Sequence, residues 1–136
     1  MILADSSAWV EYDRASGSAV DERMTELISR EGLLAVTEPV TMDVLAGARH
    51  DAGEAQLRRL LLRCHQLPFD SVADFAGATH VYRRCRRAGV TPRGMVDCMI
   101  AAVAWRNGAA LLSFDADLCR VARVVGIEMD DASLRV

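Results

Sequence analysis

Five aspartates of this sequence stand beside short apolar segments, where an ionised side chain has few natural partners. Two of them follow the apolar run in ALLSFDADL, one follows the opening run MILA, and one lies near the start of the apolar segment MVDCMIAAVAW. The fifth lies in EPVTMDVLAGAR. Burying a carboxylate costs free energy unless something cationic meets it. The residues that raise the question of a cation are Asp5, Asp43, Asp97, Asp115 and Asp117.

Each acid alone has a simple structural interpretation, but together they indicate a metal site. Asp5 or Asp115 could cap the helix that follows it, and Asp97 could complement a helix dipole. Neighbouring carboxylates raise one another's pKa unless a cation neutralises them. Mg²⁺ or Mn²⁺, which prefer oxygen ligands, suit such a cluster. The same ion can bind a phosphate oxygen and activate a water molecule for in-line attack.

Apolar runs and helical patterns alternate along the chain, which predicts an α/β fold. The runs MILA, LLAVT, LPFD and ALLSF are expected strands, and IEM is a possible fifth. Such alternation is typical of a parallel sheet covered by helices on both faces. Ligands of such sheets bind beyond the carboxyl ends of the strands. The acids that follow strands one and four are therefore expected at one edge, with Asp43 and Asp97 on neighbouring helices.

Length and composition indicate a single cytoplasmic domain spanning residues 1–136. The chain has a net charge of −3, and all 16 of its basic residues are arginines. No apolar run approaches the roughly 20 residues of a membrane helix, and the amino terminus lacks the basic region of a signal peptide. The four cysteines show no metal-site spacing, so we expect them to be reduced and buried.

Other classes of α/β protein also carry acids at strand ends, but the lysines or glycine-rich motifs that they require are absent from this sequence. A phosphoacceptor receiver domain relies on a lysine, and none is present. A haloacid-dehalogenase-type phosphatase carries D-x-D after its first strand, whereas here D-x-D follows the fourth. Neither the GK[ST] of a P-loop nor GxGxxG occurs. A site made of acids alone remains.

Three blocks of the sequence resemble the PIN-domain ribonucleases, specifically the VapC-type toxins of bacterial toxin–antitoxin pairs. They are ILADSSAWV, EPVTMDVLAGAR and VDCMIAAVAWRNGAALLSFDADL, in that order. The resemblance implies a three-layer α/β/α sandwich with a central parallel sheet of four to five strands. It also implies Mg²⁺-dependent cleavage of RNA phosphodiesters, with Mn²⁺ as an alternative ion, a cognate VapB-type antitoxin and a homodimer.

The family's four acids fall on Asp5, Asp43, Asp97 and Asp115, which are the expected catalytic residues. Asp5, Asp97 and Asp115 are the expected metal ligands, and Asp43 would orient or deprotonate the attacking water. Asp43 replaces the family's usual glutamate, and Glu38 is a weaker alternative because it precedes Pro39 and suits a cap. Three further residues are expected to support the ligands without binding metal: Ser6, Ser113 and Asp117. Ser113 and Leu118 replace a common threonine and a frequent phenylalanine.

An arginine-rich segment, RRCRRAGVTPR, precedes Asp97 and is a candidate RNA-binding region. Its arginines could contact phosphates or simply solvate the end of a helix. Trp9 and Tyr12 could stack on a base, although packing in the core is the simpler interpretation, and Trp105 is expected in the core. The proposed phosphate-binding residues are Arg83, Arg84, Arg87 and Arg93.

Two other functions share these features. An inactive PIN-like module could serve only as an antitoxin or operator-binding partner, but such a module would be favoured by a missing acid, and all four are present. A PIN nuclease of RNA maturation is a further alternative, although the chain carries no appended RNA-binding domain.

Overall fold

A computed structural model describes all 136 residues of the chain. Seven helices alternate with four short strands around one cluster of 30 buried apolar residues. None of the helices has the length and apolar character needed to cross a membrane. In chain order the elements are β1 (Ile2–Ala4), α1 (Ser6–Asp13), α2 (Ala19–Ile28), β2 (Leu34–Val36), α3 (Glu38–Ala46), α4 (Asp51–Leu62), β3 (His65–Gln66), α5 (Ala73–Arg87), α6 (Met95–Asn107), β4 (Ala110–Leu112) and α7 (Ala116–Val125).

The strands form one parallel sheet in the order β3-β2-β1-β4. The chain moves outward from β1 through β2 to β3 and then returns to place β4 on the other side of β1. Strand order therefore reverses between β1 and β4, and in open parallel sheets this reversal opens a crevice at the carboxyl ends of the two strands. Ala4 pairs with Leu112 at that end, so Asp5 and Ser113 leave the sheet side by side.

Helices cover both faces of the sheet, as the alternating pattern predicts. Helices α1 to α4 contact one another as one layer, and α5, α6 and α7 contact one another as the second. Because β-α-β crossovers are nearly always right-handed, reversing the strand order sends the later helices to the opposite face. The predicted α/β/α sandwich is confirmed, with four strands.

Local signals place several helix ends where the sequence predicts them. Pro39 occupies the first turn of α3, and Asp5 and Asp115 cap α1 and α7. Helix α6 ends at Gly108, whose φ of +62° lies in the left-handed region that glycine adopts without strain. The four cysteines are free, and three of them are buried.

Two strand predictions are corrected by the structure. Strand β3 is His65–Gln66 rather than LPFD: pairing ends where the Leu67 amide donates to the Val36 carbonyl, because Pro68 has no N–H to continue it. The segment IEM contributes only an isolated bridge between Met129 and Leu111.

The two tryptophans differ in burial, and one prediction about them is wrong. Trp9 is fully buried in the core, which removes it as a base-stacking residue. Trp105, predicted in the core, is 68% exposed. Trp105 lies in the last turn of α6, where the helix reaches the surface. Because the helix is apolar along most of its length, its sequence does not show that this turn is exposed.

Candidate active site

Asp5 lies at the carboxyl end of β1 and is held by three hydrogen bonds. Its Oδ1 accepts from the Ser7 hydroxyl at 2.7 Å and from the Ala8 amide at 2.9 Å, which caps α1. Its Oδ2 accepts from the Ser113 hydroxyl at 2.6 Å. A carboxylate has about four acceptor positions, so this buried side chain is fixed in place while retaining capacity for one more ligand.

The pKa of Asp5 is raised above its ordinary value. Burial is the main cause, and the negative charge of Asp115 adds to it, whereas the hydrogen bonds from Ser113, Ser7 and Ala8 act in the opposite direction. Burial therefore disfavours the ionised form of Asp5 by more than its three hydrogen-bond donors favour it.

Asp115 and Asp117 follow β4 in the first turn of α7, as predicted. Asp115 Oδ1 accepts from the Asp117 amide at 2.9 Å and from Nη2 of Arg93 at 2.8 Å, whereas its Oδ2 has no hydrogen-bond donor. Asp117 is buried, and its Oδ2 accepts from the Arg93 amide at 3.0 Å. Asp117 thus anchors the segment before α6, and Asp115 keeps one oxygen available.

Asp97 lies in the first turn of α6, half-buried and without any hydrogen-bond donor. Burial raises its pKa to about 7, helped by the negative charges of Asp115, Asp5 and Asp117 and opposed by Arg93. Ser113 joins Asp5 and Asp115 directly, because its hydroxyl donates to Asp5 at 2.6 Å and accepts from the Asp115 amide at 3.0 Å. Asp97 lies near enough to this pair, at the reversal between β1 and β4, for their charges to act on it.

Asp43, on α3, is joined to this group only through Ser6. It is exposed, and its Oδ2 accepts from the Ser6 hydroxyl at 3.1 Å, which links it to the residue after Asp5. Glu38, the weaker alternative, instead accepts from the Phe69 amide at 2.7 Å. Glu38 therefore holds the segment that follows β3, and the geometry favours Asp43.

Ser7 is a site residue that sequence reasoning missed. Its hydroxyl donates to Asp5, accepts from the Phe114 amide at 2.8 Å and lies 3.3 Å from the Ser113 hydroxyl. It therefore joins the ends of β1 and β4 below the acids. The only sequence signal is a small polar residue two positions after a strand-end aspartate, and that signal is indistinguishable from an ordinary helix start.

We expect Ser7→Ala to lower the free energy of unfolding by about 1–3 kcal/mol, since the Phe114 amide loses its partner and Asp5 loses a donor. Urea denaturation of the purified variant would measure the change. Ser6→Ala is the matched control, because it removes one exposed hydrogen bond, and we expect less than about 0.5 kcal/mol there. Equal effects at the two serines would contradict the role given to Ser7.

The carboxylate oxygens of the site suit a hard divalent cation, but the side chains are not arranged around a single position where one could bind. Asp97 and Asp115 present carboxylate oxygens without donors, and carboxylate oxygens are the ligands that Mg²⁺ and Mn²⁺ prefer. As the side chains stand, no group of three or more His, Cys, Asp or Glu residues is arranged to hold a metal ion. Binding would therefore require side-chain rearrangement, and Arg93 already occupies Oδ1 of Asp115.

The candidate phosphate-binding arginines divide into two groups. Arg83, Arg84 and Arg87 are exposed in the last two turns of α5, and no ion pair joins them to the acids. Arg93 lies in the loop between α5 and α6 and contacts both Asp115 and Asp117. Only Arg93 belongs to the site itself.

Comparison with known proteins matches the PIN domain model to residues 2–124 of this chain. Ribonuclease VapC11 of Mycobacterium tuberculosis is 43% identical over 129 residues, which cover 94% of this chain and 96% of the relative. VapC ribonuclease Mb1587 of Mycobacterium bovis shows the same identity and coverage. Similarity of this extent, along nearly the whole chain, shows family membership rather than a shared motif.

Solved structures share the fold at lower identity. The DNA-bound VapBC of Salmonella typhimurium superposes with a TM-score of 0.74 at 21% identity, covering 96% of this chain and 97% of that one. VapBC2 of Rickettsia felis, bound to a DNA fragment from its promoter, gives 0.75 at 15% identity, covering 96% and 98%. These likenesses support the same α/β/α architecture.

Proposed function

The chain belongs to the PIN-domain family and, within it, to the VapC ribonucleases, and from this premise we propose that it is the toxin of a VapBC-type pair. Its activity would be metal-dependent endonucleolytic hydrolysis of RNA. The observation that carries the proposal is the joining of Asp5 and Asp115 at the reversal of strand order, where the Ser113 hydroxyl donates to Asp5 at 2.6 Å and accepts from the Asp115 amide at 3.0 Å. The charges of both acids also act on the half-buried Asp97. Residues 1–136 would act as a single PIN domain.

We propose that Asp5, Asp97 and Asp115 hold a divalent cation, Mg²⁺ or alternatively Mn²⁺. Asp5 is preorganised for this role by Ser7, Ser113 and the amide of Ala8. Asp97 and Asp115 contribute oxygens that have no other partner. When bound, the cation would supply the positive charge that polarises the phosphate and makes water a competent nucleophile.

The remaining polar residues would position the reactants. Asp43 Oδ1 has no donor, so this carboxylate can accept a proton from the attacking water while Ser6 holds Oδ2. Ser113 and Asp117 would act indirectly, the first by fixing Asp5 and the second by fixing the loop at Arg93. Water would attack the phosphorus and the P–O3′ bond would break, so that the departing 3′-oxygen takes up a proton; the products would be a 5′-phosphate and a 3′-hydroxyl, without participation of the ribose 2′-hydroxyl.

Substrate affinity would come from arginines outside the acid cluster. Acids repel RNA, so the exposed Arg83, Arg84 and Arg87 on α5 would contact phosphates, an interaction that depends on salt. We further propose that the protein acts in the cytoplasm, that it forms a homodimer, and that a VapB-type antitoxin blocks the site.

Induced expression of the wild type beside Asp97→Asn tests this function. We expect the wild type to arrest growth and to produce a small set of discrete RNA cuts with 5′-phosphate ends, because the variant lacks one proposed ligand. Co-expression of a protein encoded by a small reading frame directly upstream should relieve the arrest. Equal growth arrest and identical RNA ends from the wild type and the variant would contradict the nuclease proposal.

A further inference from the structure

Arg93 attaches to the first turn of α7 through two separate groups. Its backbone amide donates to Asp117 Oδ2 at 3.0 Å, and its guanidinium Nη2 donates to Asp115 Oδ1 at 2.8 Å. The backbone contact ends on a buried carboxylate, whereas the Arg93 side chain is 74% exposed. The guanidinium can therefore leave Asp115 while the loop remains anchored.

The contact to Asp115 places a positive charge where the proposed cation must bind. Arg93 is the one positive group among those that set the charge balance at Asp97, and it opposes the effect of the three neighbouring aspartates. It also uses Oδ1 of Asp115, the oxygen that caps α7, and leaves Oδ2 open. No other arginine forms an ion pair with Asp5, Asp97 or Asp115.

We propose that Arg93 is a resident counter-ion of the acid cluster, which leaves Asp115 when the divalent cation binds and then contacts a phosphate of the RNA. This inference rests on the proposed function, because it assumes that the acids bind a cation. It assigns Arg93 a role distinct from that of the arginines on α5, which face solvent and have no acidic partner to exchange.

An exchange of partners follows from simple electrostatics. The guanidinium and a divalent cation repel each other, and they compete for the same carboxylate. A guanidinium released from Asp115 keeps only its weaker contact with Asp117, at 3.9 Å, whereas an RNA phosphate drawn to the cation offers non-bridging oxygens that a guanidinium binds well. Arg93 would thus neutralise the site before the cation arrives and bind substrate afterwards.

Titration calorimetry of EDTA-treated, dialysed protein with Mn²⁺ tests the first half of the proposal. We expect Arg93→Gln to lower the Mn²⁺ dissociation constant by about threefold to fivefold. In this variant Mn²⁺ no longer has to break the exposed ion pair between Arg93 and Asp115 in order to bind. Arg93→Lys retains the charge and should bind Mn²⁺ within about twofold of the wild type. Arg59→Gln is the charge-matched control, because Arg59 is exposed in the last turn of α4, at the opposite edge of the sheet.

The controls separate failure of this inference from failure of the proposed function. If the wild type takes up no Mn²⁺, the metal-dependent function itself is wrong. If the wild type binds Mn²⁺ and Asp97→Asn does not, the function stands, and unchanged or weaker binding by Arg93→Gln would overturn only the counter-ion role. A tightening shared by Arg59→Gln would also overturn it, because it would reflect net charge alone.

RNA binding tests the second half. With Ca²⁺ in place of Mg²⁺, and with RNA integrity checked on the same gel, we expect Arg93→Gln to bind an RNA oligonucleotide more weakly than the wild type. The slope of log affinity against log salt concentration should become shallower by about 1, which corresponds to the loss of one phosphate contact. In EDTA the two proteins should bind RNA alike, since Arg93 is then held by Asp115. A difference of equal size with and without the cation would contradict the exchange of partners.

Discussion

Asp97→Asn is expected to abolish RNA cleavage while making the metal-free protein more stable. The half-buried carboxylate has no hydrogen-bond donor and lies among three other aspartates, so its negative charge destabilises the fold until a cation meets it. Asparagine keeps the shape of the side chain and removes the charge. A residue whose removal costs activity and improves stability is the signature of a functional site rather than of a structural one.

The loss of cleavage should be large. Replacing a residue that only supports a metal ligand lowers metal affinity or activity about 10- to 100-fold. Loss of a ligand itself should therefore lower kcat/KM by at least about a hundredfold. Cleavage of a labelled RNA by purified proteins in Mg²⁺ would measure it. Asp131→Asn is the matched control, because Asp131 is exposed and forms no ion pair with an arginine, and it should cleave RNA as fast as the wild type.

The gain in stability of Asp97→Asn over the wild type should increase as pH rises. The pKa of Asp97 rises from 3.8 to about 7 in the folded protein, so the folded state binds the proton more tightly than the unfolded state does. The stabilisation from this proton is complete below about pH 4 and is lost as pH rises to about 7. In urea unfolding with EDTA, the free energy of unfolding of Asp97→Asn should therefore rise above that of the wild type across this pH range. The difference should reach about 3–4 kcal/mol at pH 8. Parallel pH profiles for the two proteins would contradict the charge cluster.

Arg106→Ala is expected to lower the free energy of unfolding by about 2–3 kcal/mol. Its Nε and Nη2 donate to the two oxygens of Asp74 at 2.8 and 2.7 Å, and Nη2 also reaches the Pro68 carbonyl at 2.8 Å. The side chain of Asp74 is 1% exposed. Removing one partner of a buried pair costs about 3–5 kcal/mol, and the partial exposure of Arg106 reduces that cost.

Urea denaturation at several pH values would measure the effect, because urea is uncharged and does not screen the ion pair. Burial raises the pKa of Asp74, but the hydrogen bonds from Arg106 and the Asp70 amide outweigh it, so the net pKa lies below 3.8. The stability from this carboxylate is therefore present above about pH 4 and is lost as pH falls below it. The difference between wild type and variant should narrow in acid.

Two controls make this prediction sharp. Arg120→Ala removes an exposed arginine of α7 without an acidic partner and should change stability by less than about 0.5 kcal/mol. The double variant Asp74→Ala, Arg106→Ala should recover part of the loss, because no unpaired buried charge remains. A double variant as unstable as the sum of the single ones would contradict the pairing.

The sequence alone predicts the positions of the candidate acids better than it predicts the details of the fold. Asp5 and Asp115 are expected at one edge because each follows a strand, and the structure places them at the ends of β1 and β4. Asp97 is singled out because an acid is unusual in an apolar helix, and it lies in the first turn of α6; that these acids are the catalytic residues stays a prediction. Both inferences depend only on strand direction and composition, which survive errors of a few residues in the element boundaries.

Other features escape the sequence because they depend on tertiary contacts. Strand β3 has two residues and is fixed by pairing with β2, so the sequence pattern predicts a strand in the apolar run that begins directly after it, at Leu67, instead. Trp105 is exposed although its helix looks apolar all round. The Asp74–Arg106 pair and the contact of Arg93 with Asp115 join residues 32 and 22 positions apart, and no local pattern marks them.

The most direct test is the anomalous difference density of a crystal soaked in Mn²⁺. The carboxylates of Asp5, Asp97 and Asp115 should surround one strong peak at the carboxyl ends of β1 and β4, and the guanidinium of Arg93 should have left Asp115. A saturating soak that gives no peak there, or a peak elsewhere on the molecule, would contradict the metal site on which the proposed activity depends.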